Sequence, residues 1–468
     1  MLASFTVSSL RDAGPGSLRD AVARSEASPG ADTIRFAPAL AGTIVLTTGQ
    51  LEVTGDVTID GPGSASLAIS GGGASRIFSL TGASARLALD DVTLTGGRAT
   101  TVDAVGPGLV RGGAIRNDGG RLQLARVVFL GNRAESDPLG PSAAGIVGGG
   151  AVVNSAGATL DAIDCTFRGN RVSGGTRYAF GGAIANVTDS SATLVRCTFT
   201  GNSAADGAAD HGGAVGNFGA STLVVRGCSF VGNEARGSGS APASGGAIAT
   251  RPGTVSTSGS RTTIEASRFA GNSAIGGRDG GDATGGALAN ADSILTATQC
   301  EFSGNLASAG RGAVAAGGAV GVGSVFGGVA PSTRLVRSTL LSNRAQAGMG
   351  GIAFGGACSN EEGSMEIELA TLSGNVASTP YTTLPGAASG AAYGGAIAVG
   401  LPAGGRGEQP AMLSLRLSTV SGNSAIAGSA QGGGVFAGAL VPGPLPTVRI
   451  VASRFARNVP DGIAGNVG

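Results

Sequence analysis

The sequence predicts an all-β fold: a right-handed, single-stranded parallel β-helix of about eleven to twelve coils, with a short helix capping its start. Three observations predict it. Two short motifs, G-G-A-(apolar)-x-N and (Cys/Ser/Ala)-x-F-x-G-N, alternate ten times in fixed order. Apolar residues within each repeat follow the two-residue period of a strand, with one break in phase. No helical period is present, and glycine is abundant, 87 of 468 residues.

In chain order, the cap comes first. Ser17-Leu18-Arg19-Asp20 has the S-x-x-D pattern of a capping box, and Leu18, Ala21, Val22 and Ser25 share one face of the helix it opens. This helix, near residues 17–27, is expected to lie over the first coil, because the end of a β-helix is an open sheet that needs covering. Residues 31–75 read as short strands in less regular entry coils. Residues 1–76 are therefore expected to form the N-terminal cap and entry coils, and residues 77–468 one continuous domain of regular coils. Segment 87–97 (LALDDVTLTGG) is a further copy of the second motif, with Gly97 where the others have Asn.

The regular repeats follow. The apolar position of the first motif is Ile115, Val152, Ile184, Val215, Ile248, Leu288, Val320, Cys358, Ile397 and Val435. The large apolar residue of the second is Phe129, Phe167, Phe199, Phe230, Phe269, Phe302, Leu340, Leu372, Val420 and Phe455. Seven and five residues before it lie further apolar positions, such as Leu122 and Leu124 before Phe129. Two residues before it lies a small one, such as Cys165 before Phe167. A step of three between these pairs breaks strand parity, and a corner placed there lets both pairs point inward. Each coil is thus expected to hold three short strands, two corners and a variable loop, with Gly and Asn at corners that need positive φ. Each coil buries little alone, so stability is expected to come from stacking. The C-terminal NVPDGIAGNVG shows no cap, which leaves end-to-end association open there.

Composition narrows the function classes. The net charge is +1, from 31 basic residues, all Arg, and 30 acidic ones, so the chain lacks the electrostatic footprint of a nucleic-acid partner. No apolar run approaches the roughly 20 residues needed to span a bilayer, so no membrane insertion is expected. The opening MLASFTV has no basic segment or long apolar run, so no signal peptide is expected within this chain. One His and five Cys leave a zinc site few ligands. Four of the cysteines share the position two before the Phe, where Ser and Ala also occur, and Cys358 replaces Ile in the first motif. All five read as inward fillers, not as a disulfide framework or catalytic thiols.

The two alternating motifs resemble the GGAI and FxxN repeats of bacterial polymorphic membrane proteins, autotransporter-type adhesins of the pectin-lyase-like superfamily. The opening FTVSSLRDAGPGSLRDAVARSEASPGADTIRF is similar to the start of many secreted bacterial β-helix proteins. The resemblance covers nearly the whole chain. It implies a right-handed β-helix that is extracellular or displayed at the cell surface, in a superfamily that holds adhesins, tail spikes, lyases and hydrolases.

The candidate site residues are weighed against plain structural roles. Asn132, Asn170, Asn202, Asn233, Asn272, Asn305, Asn343, Asn375, Asn423 and Asn458 follow the Phe position by three and recur at intervals of 31 to 48 residues. They are read as a structural ladder of stacked amides. A second series, Asn117, Asn154, Asn186, Asn217, Asn290 and Asn360, is read the same way. Asp206 and Asp210 share one loop, Asp279 and Asp282 another, and these four are the Ca²⁺ candidates. The two pairs are set about 10 Å apart by two coils, which favours reading them as solvated loop charge. His211 reads as a surface residue. Asp90-Asp91 and Asp161/Asp164 are carboxylate pairs that cannot be placed across a cleft from sequence. Tyr178, Tyr381 and Tyr393, in loops before the first motif, are the aromatic candidates for ligand contact. No catalytic residue, resident metal or cofactor is assigned.

The expected function is a structural or adhesin-type module that meets an extracellular glycan or protein surface through variable loops such as 203–211, 250–262, 376–393 and 399–411. The alternative is a Ca²⁺-dependent polysaccharide lyase or a glycoside hydrolase.

Overall fold

A computed structural model of the chain describes residues 3–100, 109–136, 145–253, 258–324, 329–380, 390–400, 410–438, 440, 444–460 and 462–465. The chain winds as a right-handed parallel β-helix. Among the described residues every paired strand is parallel to its neighbours, and the strands fall into five long sheets.

Three of these sheets form the walls of the prism. The leucine sheet has fourteen strands, and the phenylalanine and asparagine sheets thirteen each, among the described residues. The entry residues supply the first members of these stacks. One coil shows the order: Val152–Ser155 in the asparagine sheet, Thr159–Ile163 in the leucine sheet and Thr166–Arg168 in the phenylalanine sheet. The corner between the last two is taken at Asp164, at φ 55, and its equivalent in the next coil is Arg196, at φ 51. This corner supplies the break in parity, so Leu160, Ala162, Cys165 and Phe167 all point inward and are buried.

Like residues stack on like along the axis. Phe129, Phe167, Phe199, Phe230, Phe269 and Phe302 form a continuous pile with ring centroids 4.6 to 5.0 Å apart. That spacing is the interstrand repeat, so offset-stacked rings need no distortion of the sheet. Ile44, Ile69 and Leu94 precede the pile, and Leu340, Leu372 and Val420 continue it.

The asparagine ladder closes the corner after each Phe. Asn170 Nδ2 donates to the Phe129 carbonyl of the preceding coil at 3.1 Å and to Asn202 Oδ1 of the following one at 3.0 Å. The Asn170 amide donates to the same oxygen at 3.0 Å. This pattern runs from Asn132 to Asn458. At its start Gly97, lacking a side chain, offers only its amide to Asn132 Oδ1. These asparagines do not take the positive φ that the sequence leads one to expect of them. The glycine before each usually does, as at Gly169 and Gly201, which leaves the buried amide free to bond along the axis.

The second asparagine series is interrupted, and the interruptions are compensated. Asn117, Asn154, Asn186 and Asn217 form an unbroken chain of amides. Thr250 replaces Asn in the next coil, and there Asn217 Nδ2 donates to Thr262 Oγ1, which also bonds Thr250 Oγ1. Thr262 stands in register with Leu223 and Leu295, so a hydroxyl enters the leucine stack only where the ladder lapses. Asn117, Asn290 and Asn360 follow Leu80, Thr250 and Val322, and their Oδ1 atoms lack the amide donor that an unbroken ladder supplies.

The small position before the Phe does more than fill space. Ser267 Oγ accepts from the Cys228 amide at 3.1 Å and donates to the Glu265 carbonyl at 2.8 Å. Cys228 Sγ accepts from the Cys197 amide in the same way. Ser and Cys both supply the acceptor at this place, which explains their exchange, while Ala370 fills it without one. All five thiols are free and buried. The hydrogen bond with the Cys165 thiol, and after it burial, push Cys197 up to about 12, and burial pushes Cys300 up to about 11.

At the start of the rod, helix Leu18–Glu26 buries Leu18, Ala21, Val22 and Ser25, with Ser17 Oγ accepting from the Asp20 amide. Asp12 fixes the segment before it. Burial alone would raise this carboxyl, but hydrogen bonds from Thr48, Thr47 and Arg19 outweigh it and hold it below its ordinary value.

The coil differs from the sequence expectation in one major respect. The segment between the G-N corner and the next G-G-A is not simply a loop but contains two further strands, as in Arg171–Ser173 and Tyr178–Phe180. Among the described residues they stack into two ten-stranded sheets that fold back as a flap. Segment 203–211 carries flap strands Ser203–Ala205 and Asp210–His211, and 376–393 carries Val376–Ser378 and Ala391–Tyr393. The flap interior is a layer of alanines, such as Ala235 against Ala243 and Ala307 against Ala315. Such small, glycine-flanked residues give almost no hydrophobic alternation, which is why the strands read as loop.

Candidate functional site

The outer flap sheet lies over the outward face of the asparagine sheet. In G-G-A-(apolar)-x-N the x residue points outward: Val153, Ala185, Gly216, Ala249, Ala289, Gly321, Ser359, Ala398 and Phe436 form one column. The last residue of each outer flap strand faces it: Gly148, Phe180, His211, Ser244, Thr284, Ala316, Phe354, Tyr393 and Gln431. The sharp return between the two sheets depends on the paired glycines. A Cβ at Gly181 (φ 66) would lie 2.2 Å from the Ile184 carbonyl oxygen, and one at Gly182 2.2 Å from that of Gly213.

The trough between these columns is filled where the side chains are large. Phe180 stacks on Phe218 at 4.5 Å toward the N-terminal end, and Tyr393 packs on Phe436 at 4.6 Å toward the C-terminal end. Between them the facing residues are Ser244 and Ala249, Thr284 and Ala289, then Ala316 and Gly321. These leave a cleft of about 350 Å³, within the range of small-ligand sites.

One end of the cleft is a polar cluster. His211 Nδ1 lies 2.6 Å from Ser244 Oγ, and its Nε2 meets Arg251 Nη1. Arg only donates, so Nε2 accepts and the proton sits on Nδ1, facing Ser244. Burial, with the Arg251 charge beside it, holds the imidazole well below its ordinary pKa, so it is neutral. The Arg251 guanidinium lies 5.2 Å from the Tyr178 ring centre and 5.6 Å from that of Phe218. The opposite end carries Glu361, half-buried, whose carboxyl is pushed up to about 8 by burial and by the charges of Asp282 and Glu362. Asp282 lines the cleft too, its Oδ1 accepting from the Val314 amide at 2.8 Å.

The sequence candidates separate. Tyr178 forms part of the cleft wall, whereas Tyr393 belongs to an aromatic plug, and Tyr381 lies outside the described residues. Asp206 is exposed and paired with Arg171 at 2.7 Å. Asp279 is exposed, and Asp282 lines the cleft. Asp210 is not a solvated loop charge: it occupies the alanine layer in register with Ala179 and Ala243, fully buried, with Oδ2 unpartnered. Two coils separate it from the Asp282 strand. Among the described residues no three His, Cys, Asp or Glu side chains come together as metal ligands. His211 likewise is not a surface residue but is 6% exposed. Asp90, Asp91, Asp161 and Asp164 lie on or beside the outward face of the leucine sheet and pair with Arg126, Arg121 and Arg196.

Sequence reasoning missed Arg251, Ser244 and Glu361. The signal was positional. Arg251 stands in register with Val187 and Phe218, and His211 with Phe180, so each places a polar group in an apolar column.

Asp210 gives a pH-dependent prediction. Burial pushes its carboxyl up to about 8, the Gly207 amide opposing and Asp206 adding to the shift. The unfolded chain ionises near pH 3.9, so between that value and about 8 only the unfolded state releases the proton, and stability falls as pH rises. Asp210→Asn is expected to show no stability advantage below about pH 4. Its advantage should grow with pH and level off above about pH 8, as urea midpoints measured across that range will read.

No protein-family model matches the sequence, and no curated protein matches it. Among solved structures the chain is similar to tailspike protein 3 of bacteriophage CBA120, at 15% identity and TM-score 0.37, over 97% of this chain and 60% of that one. It is similar to the A-module of the Azotobacter vinelandii mannuronan C-5 epimerase AlgE6, at 12% identity and TM-score 0.41, over 96% and 99%. It is also similar to a mannuronic acid specific polysaccharide family 6 lyase from human gut microbiota, at 11% identity and TM-score 0.33, over 100% and 91%. Similarity at this level concerns the path of the backbone alone.

Proposed function

We propose that the chain is a binding module, secreted or displayed at the cell surface, that holds a glycan in the cleft between flap and asparagine sheet. One observation carries this reading: the trough opens where serine, threonine, alanine and glycine replace the aromatics that fill it toward either end. The hydroxyl-bearing residues Tyr178, Ser244 and Thr284 line the walls above a floor of alanine and glycine, the mixture that suits a sugar with polar edges and an apolar face. The adhesin-type role and surface display rest on the resemblance of the alternating motifs. Recognition is assigned to the rigid flap, in place of the variable loops alone.

Filling the cleft tests the reading. A Cβ on Gly323 would approach Glu361 Oε2 at 3.3 Å, and a longer side chain extends into the open space. Gly323→Leu is expected to weaken glycan binding on an array by about tenfold or more while the melting temperature stays unchanged. Equal binding by both proteins would reject the cleft as the site.

A second reading has one specific observation in its favour. Glu361, protonated at neutral pH beside Asp282, has the acid character that polysaccharide cleavage needs. Release of reducing ends or unsaturated products from a polysaccharide panel, with Ca²⁺ present, would establish it. Such activity should fall as pH rises through about 8 and should vanish in Glu361→Gln.

A further inference from the structure

The charge lining the cleft deepens the binding reading and rests on it: we propose that the occupant is an amino sugar, a glycan whose free ammonium group docks between Glu361 and Asp282.

His211 is neutral and engaged with Ser244 and Arg251. Arg251 is 7% exposed, stacked between the Tyr178 and Phe218 rings, and Asp292 lies close enough to offset its charge. Among the described residues the other titratable groups of the lining are Asp282 and Glu361, both acidic, set around a floor of Ala289, Ala291, Gly321 and Gly323. Loss of water, and after it the nearby charge of Asp282, disfavour a carboxylate at Glu361, with Glu362 adding to the crowding. A cation placed between the two carboxyls relieves both effects, whereas a uronate adds negative charge to an acidic lining.

The donor set argues for an organic cation over a metal ion. Ca²⁺ takes six to eight oxygen ligands. Among the described residues two carboxyls line this space, and one oxygen of Asp282 is already committed to the Val314 amide. An ammonium group, with three donors, is satisfied by two carboxyls and one hydroxyl. The architecture also argues for a sugar over a basic peptide. Peptides commonly bind by adding a strand to a free sheet edge, but the trough is walled by sheet faces whose strands are paired on both sides. The aromatic plugs close it at both ends, so an extended chain has no path along the axis.

Calorimetric titration of the whole chain near neutral pH tests the proposal with four probes: a glucosamine tetramer, its N-acetylated counterpart, a galacturonate tetramer and an oligolysine. The glucosamine tetramer is expected to bind about tenfold or more tightly than the acetylated one. Glu361→Gln, checked for an unchanged melting temperature, should remove most of that preference, and Gly323→Leu should abolish binding of both. Equal or tighter binding of the acetylated or uronate probe, lost in Gly323→Leu, would overturn the amino-sugar assignment while leaving the cleft as a glycan site. Tightest binding of oligolysine would overturn it in favour of a basic peptide. Silence with every probe would overturn the assignment and the glycan reading together.

Discussion

Asn202→Ala is expected to destabilise the protein by about 3–5 kcal/mol, far more than the loss of one polar side chain from a surface. Asn202 Oδ1 accepts from the amide and the side chain of Asn170, and its Nδ2 donates to the Phe167 carbonyl and to Asn233 Oδ1. No water reaches these groups, since Asn170, Asn202 and Asn233 are fully buried. Truncation therefore leaves the Asn170 amide unsatisfied, at about 1–3 kcal/mol, and removes three further buried hydrogen bonds, at about 1 kcal/mol each, although the Phe167 carbonyl keeps its place in the strand ladder. Asn202→Asp sharpens the test. It keeps the acceptor but turns a carboxylate toward the Phe167 carbonyl and Asn233 Oδ1, and it should be at least as damaging as Asn202→Ala. The measurement is the urea midpoint together with amide exchange rates. The loss should first appear as faster exchange in the coils carrying Asn170, Asn202 and Asn233, because a solenoid transmits damage to its nearest neighbours.

Phe199→Ala is expected to cost a similar amount, about 3–5 kcal/mol. Its ring lies 4.7 Å from that of Phe167 and 4.6 Å from that of Phe230, so removal opens a void between two rings held in place by their own strands. The backbone ladder fixes coil spacing, and the neighbours cannot collapse into the gap. Phe199→Leu should cost about 1.5 kcal/mol or less, since Leu340 and Leu372 already occupy equivalent places in later coils. A loss for Phe199→Leu as large as that for Phe199→Ala would show that ring stacking, and not filled volume, stabilises the pile.

The inward columns were legible because they repeat with a chemical signature. Phe129 to Phe302 and the ladder from Asn132 to Asn458 fall at fixed offsets from the motifs, and the broken parity between Leu124 and Phe129 located a corner. The cap was legible from the Ser17 pattern and the one-sided placement of Leu18, Ala21 and Val22. The flap was not. Its inward residues are alanines with glycine nearby, so burial comes from close approach of two backbones and leaves no apolar alternation to read. The cleft was hidden for a related reason. It is defined by what is absent from a column, aromatics at Ser244, Thr284 and Gly321, and a column becomes visible only when the flap register is known. Asp210 and His211 were noticed as chemistry-bearing residues, but without the flap they were placed in solvent.

The central claim is that the trough beneath the flap is open in its middle coils and filled toward its ends. Thiol labelling tests it most directly, because the five natural cysteines are buried and give a silent background in the native protein. Ala291 and Val187 stand in the same column of the asparagine sheet, the first lining the cleft and the second packed beside Phe180 and Phe218. Ala291→Cys is predicted to react with a maleimide in the folded protein, and Val187→Cys to react only after denaturation. Equal labelling of both positions, or labelling of Val187→Cys alone, would contradict the account.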